Sequence, residues 1–484
     1  FETLALAQRI ARIGELASLP NQQGAAALCR LVRYHSSSVL RKSAAAALLA
    51  VQPLGEPPSE AFATMVRKYL GSDTTPASKT AAVWLTTYLR FRDDPAASLE
   101  DWSALIKAEL GRLKQGTDQP DVRSVAVLVL HQVAWHKKLG QRDEAVAAML
   151  RLIDLERSSP ELLSRRLIWL VQEKEYEIFD EVTLGLAAQF ENQPLLLYDV
   201  AEVLAAAGQE QRAENVAALA LKATPDDASK QLSHYKTATF LQQRGQFRWA
   251  RQEYRYVIDS GKPGSEVVVY AQYFLGEMLH DQGMDVDAAK VLEELVKVLR
   301  EQPEGSVRTI AGVAGTRARM HFFAACHWAE ENDAAKQRES LDKALKADQT
   351  DVDVLIACHR LADQTPEYRR RIAGLIRQSA DQLNEKALRQ PDIPTYYNQY
   401  AWLIGNTEGD MDKALRYSKK SLELAPDNGG YLDTLAHVYF GRGEYQQAVE
   451  TQTRAIQFEP HSGLIARKLD VFQRKWEEEK AKEK

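Results

Sequence analysis

The sequence predicts an all-α chain built as an α-solenoid, a right-handed superhelix of stacked helical hairpins. Three observations lead there. A 34-residue pattern occurs twice in succession near the C-terminal end. Gly409-Asp410-Met411 returns as Gly443-Glu444-Tyr445, Ala414 as Ala448, Leu424 as Phe458 and Pro426 as Pro460. Self-similarity at such a period marks repeat architectures, in which each unit hides its apolar face against the next. Ala and Leu abound, while the 25 Gly and 17 Pro cluster at punctuation points between apolar runs, as in helical chains. Few stretches alternate in strand fashion.

The 484 residues are enough for several domains' worth of core. The net charge of −5, from 62 basic and 67 acidic residues, lacks the basic excess of a nucleic-acid interface. No nucleic-acid partner is expected. Cys29, Cys326 and Cys358 form no disulfide framework; in apolar helical contexts they read as small core residues. No apolar run is long enough for a transmembrane segment. The chain opens at Phe1, not Met. A removed leader and missing upstream residues are both open, so cytoplasmic and exported locations are not separated.

In residues 1–125, Arg41-Lys42-Ser43-Ala44-Ala45, Lys79-Thr80-Ala81-Ala82-Val83 and Arg123-Ser124-Val125-Ala126-Val127 recur at spacings of 38 and 44. A basic residue opening a small, apolar helix at roughly 40-residue spacing resembles HEAT-type α-hairpins. Pro53, Pro57-Pro58, Pro76, Pro95 and Pro120 mark the joints.

Residues 126–350 form an array. Gly140 precedes Ala145 in 126–159, Glu175-Tyr176 marks the turn and Phe179 replaces the small residue in 160–193, and Gly208 precedes Ala213 and Pro225 in 194–227. Gly245-Gln246-Phe247 with Ala250 and Gly283 with Ala288 continue the series, and Ala324, Ala325 and Trp328 open a further unit over 318–350. Loops at Gly261–Gly264 and Glu301–Ser306 lengthen the period. Residues 351–394 are an irregular helical hairpin, a short helix before Pro366 and a long one toward Leu388. Residues 395–462 hold the two clearest copies. In 463–484 a charged capping helix carries Leu464, Ile465, Leu469, Phe472 and Trp476, the polar end a solenoid needs.

The period, the Gly-acidic-aromatic turn, the small residue five positions after the Gly and the closing Pro resemble the tetratricopeptide (TPR) repeat. Tyr400-Ala401-Trp402-Leu403-Ile404 and Tyr431-Leu432-Asp433-Thr434-Leu435-Ala436 look like its bacterial type. The resemblance implies paired helices with a concave groove, lined by positions 2, 5, 9, 12 and 13 of each first helix. Here position 2 reads Leu195, Leu232, Tyr270 and Arg319; position 5 reads Tyr198, Tyr235, Tyr273 and Phe322; position 9 reads Glu202, Thr239, Glu277 and Cys326. The partner-binding candidates are Leu195, Tyr198, Glu202, Tyr235, Thr239, Tyr270, Tyr273, Glu277, Arg319 and Phe322. Aromatic rings beside acidic groups suit an extended peptide with apolar and basic residues. The same tyrosines could instead pack against the next repeat; both readings stay open. The Lys/Asn/Arg set with which the family clamps chaperone C-termini is not present.

No phosphate-binding glycine loop, nucleophile elbow or metalloprotease motif occurs. No catalytic residue, cofactor or metal is expected. Cys326-His327 and Cys358-His359 sit in two Ala-Cys-His copies, but adjacent helical residues point about 100° apart and seldom share one ion. His131 and His136, five apart near Trp135, do not share a helix face. The resemblance thus implies a non-enzymatic scaffold binding a partner protein or peptide on its concave surface. The alternatives are a structural subunit of a multiprotein complex and the regulatory portion of a longer enzyme.

Overall fold

The computed structural model describes residues 4–20, 23–70, 79–115, 122–223, 230–301, 312–362 and 364–482. Among them every regular element is a helix. Pro76, Pro120, Pro225 and residues 302–306 lie outside the described residues. The chain divides into two compact units, Phe1–Ala223 and Thr224–Lys484.

The first unit begins with α1 (Leu6–Ala17), α2 (Ala25–Tyr34), α3 (Ser38–Ala50), α4 (Glu60–Leu70), α5 (Lys79–Arg90), α6 (Pro95–Gln115) and α7 (Val122–Lys138). Helix α3 is rich in alanine, which lets neighbours approach on several sides. It packs against α1, α2, α5 and α7, and Leu40, Ala44, Ala45, Leu48 and Leu49 are fully buried. The three helices opened by the recurring basic residues, α3, α5 and α7, therefore meet, with α3 against both others. Lys42, 1% exposed, is buried because Nζ donates to Glu109 on α6 at 2.9 Å; a buried cation needs such a partner. Phe91 stacks on Trp135 at 4.2 Å. His131 meets Tyr88 and Trp102 in T-shaped pairs and bonds the Leu49 carbonyl at 3.0 Å. It is a core residue: burial lowers its pKa, and the carbonyl only partly offsets that.

From α7 onward, hairpins follow one another: α7 with α8 (Arg142–Leu155), α9 (Pro160–Gln172) with α10 (Tyr176–Leu186), and α11 (Pro194–Ala206) with α12 (Glu210–Lys222). Each inter-helix turn needs one residue in the left-handed region. Gly140, Lys174 and Gly208 supply it with φ of 72°, 63° and 73°, in 34-residue register. After it the backbone turns back, Gly208 N–H to Ala205 O and Gln209 N–H to Leu204 O, both 2.9 Å, which satisfies the last carbonyls of α11. Ala213 is 1% exposed, so the second helix of its pair lies close to the first.

The second unit contains α13 (Lys230–Gln243), α14 (Phe247–Ser260), α15 (Glu266–Asp281), α16 (Asp285–Glu301), α17 (Gly312–Glu330), α18 (Ala334–Ala347), α19 (Val352–His359), α20 (Pro366–Arg389), α21 (Pro394–Gly405), α22 (Met411–Leu424), α23 (Gly429–Gly441), α24 (Tyr445–Phe458) and α25 (Gly463–Lys482). These pair as successive hairpins, with α25 packed on α24. Gly245, Gly283, Asn332 and Gly443 hold the left-handed turn position. Ala250, Ala288, Ala414 and Ala448 are fully buried at the close approach of each pair. The fold is thus all-α, a solenoid of stacked α-hairpins. In α25, Ile465 joins Leu432 and Ala455, and Phe472 joins Ala436, Ala448 and Val449, with Leu469 and Trp476 alongside. Leu464 is 37% exposed and is not part of that seam.

Stacking is not confined to neighbours in sequence. The start of α25 lies against the end of α15. Asp281 accepts hydrogen bonds from Ser462 Oγ at 2.7 Å, Gly463 N at 3.1 Å and Leu464 N at 3.2 Å. Arg467 donates to the Asp281 carbonyl at 3.2 Å. A Cβ on Gly245 would meet the His461 ring at 2.5 Å, and one on Gly463 would meet the Asp281 carbonyl oxygen at 2.5 Å. The intervening hairpins leave α15 and return to it, which departs from an open, elongated spiral.

Candidate functional site

The first helices of the hairpins in the second unit bring their polar side chains to one connected row. Tyr270, Tyr273, Phe274 and Glu277 lie on consecutive turns of α15, Arg319 and Phe322 on α17, Asp351 and Asp353 at the start of α19, and Trp402 on α21. Arg319 is the hub. Nε and Nη2 donate to the two carboxylate oxygens of Glu277 at 3.0 and 2.6 Å, and Nη1 donates to Asp353 Oδ2 at 2.5 Å. Its guanidinium also covers the Phe322 and Phe323 rings at 5.2 and 5.0 Å. The other Asp353 oxygen accepts from Trp402 Nε1 at 2.7 Å. The chain Glu277–Arg319–Asp353–Trp402 thereby ties four hairpins together.

Electrostatics follow from this geometry. Burial alone would lower the Arg319 pKa; Glu277 and Asp353 outweigh it and hold the guanidinium well above its ordinary value. Burial, reinforced by Glu277, pushes the Tyr273 hydroxyl up. The Asp351 carboxyl is pushed up to about 6 by burial and by Asp353, against the opposing pull of Arg319. Asp351 also caps α19, accepting from the Asp353 and Val354 amides at 3.0 and 3.1 Å. Beside these groups opens a pocket of about 560 Å³ lined by Tyr273, Arg319, Asp348, Asp351, Asp353 and Lys386, with Ser379, Gln382 and Gln399.

Aromatic side chains extend the row toward α13. Tyr235 lies 6.5 Å from Tyr270 and 6.3 Å from Phe274 between ring centroids, and Thr239 donates to the Tyr235 carbonyl at 3.0 Å. In the other direction, Asn406, the C-cap of α21, accepts from Arg360 Nη2 at 2.5 Å and bonds His437 Nδ1 at 2.7 Å. Burial holds His437 neutral, and Lys468 and Arg360 push the same way, so its Nδ1 carries the proton given to Asn406. Asp433, which accepts from Gln452 Nε2 at 2.6 Å, is pushed up to about 6 by burial despite Lys468.

Of the residues singled out from the sequence, the structure brings together Tyr235, Thr239, Tyr270, Tyr273, Glu277, Arg319 and Phe322, all partly buried. Leu195, Tyr198 and Glu202 lie on α11 in the first unit. Tyr198 is fully buried there and presents no ring surface. Sequence reasoning missed Asp351, Asp353 and Trp402. Asp353 stands 34 residues after Arg319, so the repeat register itself pointed to it; the irregular spacing of 351–394 hid that register. Cys326 and Cys358 do not converge on one centre. Cys358 lies in the core of α17–α22 with Tyr368 against its thiol, while Cys326 faces His280 and Asp285.

Residues 394–428, the α21–α22 hairpin, match the tetratricopeptide-repeat family model. No curated protein matches the sequence. Among solved structures, a thermophilic TPR protein of Thermus thermophilus is 17% identical, over 42% of this chain and 97% of that one, with a TM-score of 0.28. A tetratricopeptide repeat protein of Parabacteroides merdae ATCC 43184 is 13% identical over 58% and 98%, with a TM-score of 0.30. The TPR domain of P58(IPK) is 11% identical over 83% and 99%, with a TM-score of 0.20. At such scores these likenesses carry no argument about function.

Proposed function

We propose that this tetratricopeptide-repeat protein is a non-catalytic scaffold that holds an extended segment of a partner protein along the inner helices of its second unit. The supporting observation is the continuous row from Tyr235 through Tyr270, Tyr273 and Glu277 to the polar pocket at Asp351 and Asp353. Half-buried rings offer apolar contact at small entropic cost. Three acids, Asp348, Asp351 and Asp353, share one pocket with Arg319, which is already engaged by Glu277. An incoming cation offsets the cost of burial that raises the Asp351 pKa. The segment this chemistry fits carries a Lys or Arg flanked by apolar residues. Leu195, Tyr198 and Glu202 on α11 are not needed for this reading.

Panning a random peptide library on the purified protein tests it. Basic residues next to aromatic or aliphatic ones should be enriched. Tyr235→Ala and Tyr273→Ala should each weaken the selected peptides by on the order of 2 kcal/mol if they are hot spots. Asp353→Asn should weaken the Lys- and Arg-containing ones selectively. Peptides without basic residues, or affinities unchanged in all three variants, would reject the assignment.

A further inference from the structure

A different cluster lies at the end of α15, where one ring nitrogen of His280, a carboxylate oxygen of Asp285 and Sγ of Cys326 come within 4.8 Å of one another. We propose that these three side chains bind a zinc-type divalent cation, with water as the fourth ligand.

The donors come from three helices of two successive hairpins: His280 from the last turn of α15, Asp285 from the first residue of α16, Cys326 from the middle of α17. Their side chains are removed from bulk water. His280 is 11% and Asp285 5% exposed, and Cys326 is partly buried. The His280 ring is fixed before any ion arrives. It stacks on Phe323 at 4.4 Å with 21° between planes, meets the edge of Phe322 at 5.6 Å, and its Nδ1 bonds Asp285 Oδ1 at 2.5 Å. Aromatic walls around an oriented imidazole are the surroundings in which a metal binds tightly.

The donor set selects the ion. A thiol, an imidazole and one carboxylate suit a borderline-soft cation such as Zn²⁺, not Mg²⁺ or Ca²⁺, which take oxygen ligands. Bond lengths of about 2.0–2.3 Å set tetrahedral donors about 3.3–3.7 Å apart, so donors lying within 4.8 Å of one another reach an ion by side-chain adjustment, with His280 Nδ1 and Asp285 Oδ1 parting from 2.5 Å. Loading takes His280 as a neutral imidazole, its one proton on the ring nitrogen that does not bind the ion, and releases the thiol proton of Cys326 to solvent. None of the three donors lines the acidic pocket.

Cobalt(II) titration of chelator-treated full-length protein tests the assignment. One equivalent should bind and give a sulfur-to-cobalt charge-transfer band with the intense visible bands of a four-coordinate site. Zn²⁺ should bleach both. A Cys29→Ala/Cys358→Ala variant, in which Cys326 is the one remaining thiol, should retain the spectrum. Cys326→Ser and His280→Asn should weaken Co²⁺ binding at least about tenfold, since even the partners of direct ligands are worth that much. A spectrum without the charge-transfer band at excess Co²⁺, or one undiminished in Cys326→Ser, overturns the proposal. Should Cys326→Ser fail to fold by circular dichroism, the two-cysteine variant decides: a thiolate band there assigns Cys326, and no band rejects it.

Discussion

Asp281 and Gly463 are 182 residues apart in sequence and hydrogen-bonded in the fold, with Asp281 Oδ2 accepting from the Gly463 amide at 3.1 Å. Gly463 opens α25, and its neighbours Ser462 and Leu464 donate to the other carboxylate oxygen. A side chain at the end of one helix thus caps the start of another. Ser462 adds a local cap, accepting from the Ile465 amide at 3.3 Å. The carboxylate also sits at the positive end of the α25 dipole.

Asp281→Ala should therefore loosen the start of α25 without unfolding the unit. The loss is that of an N-cap, about 0.5–2 kcal/mol. Hydrogen exchange should accelerate at the amides of residues 463–467 while α21 and α23 keep their protection. Unchanged exchange there would show that Ser462 alone fixes the helix start.

Arg319 is enclosed between Glu277 and Asp353, so its removal leaves two acids facing each other across a partly buried gap. Arg319→Met should cost about 3–5 kcal/mol in urea unfolding. Adding Glu277→Gln and Asp353→Asn to that variant should restore most of the loss, because neutral groups no longer need the cation. A single-variant cost under about 1 kcal/mol would mean the triad is solvated.

Gly208 isolates a backbone effect. A Cβ there meets nothing within 4 Å, yet φ is 73°. Gly208→Ala should cost about 1–2 kcal/mol through that conformation alone. At the equivalent turn Lys174 already bears such strain, with φ of 63°. Lys174→Gly should leave stability unchanged or raise it by up to about 1 kcal/mol. Thermal unfolding of the two variants reads both signs.

Asp433 and His437 give opposite pH limbs. Asp433 has its folded pKa raised to about 6 from 3.8 by burial. The folded state therefore holds this proton where the unfolded state has lost it, and the stabilisation fades as pH rises from about 4 to 6. His437 is lowered by burial, so below its ordinary value of 6.5 the unfolded state takes up the proton and stability falls with falling pH. Asp433→Asn, whose amide oxygen still accepts from Gln452, should raise stability at pH 7 by on the order of 1–3 kcal/mol. It should also steepen the decline below pH 6.5. Denaturant midpoints across pH 4–8 check both expectations.

The repeat register was legible because its causes are local. A left-handed turn favours Gly, and a close helix pair favours Ala, so Gly208 and Ala213 announce their hairpin. Where Lys174 or Asn332 takes the turn position, the signal weakens although the backbone is the same. The groove row was legible as far as the register ran, from Tyr235 to Phe322. Asp353 and Trp402 escaped because residues 351–394 break the spacing. The two Ala-Cys-His copies suggested a relation between cysteines that the helices do not make: Cys326 points to α15 and Cys358 to Tyr368 on α20. Nothing local foretold Asp281 meeting Gly463, since such a contact depends on the summed rotation of all hairpins between them. Gly245 and Gly463, each bare where two segments touch, were its sole traces.

The capping of α25 by Asp281 limits how this molecule can vary. In an open row, units can be duplicated or deleted, and the ends simply move apart. Here the helices from α16 to α24 must span a fixed gap, like staves cut for one hoop. Gaining or losing a single copy in that stretch would strand α25 away from its seat, so the number of hairpins is set by geometry and not by tolerance.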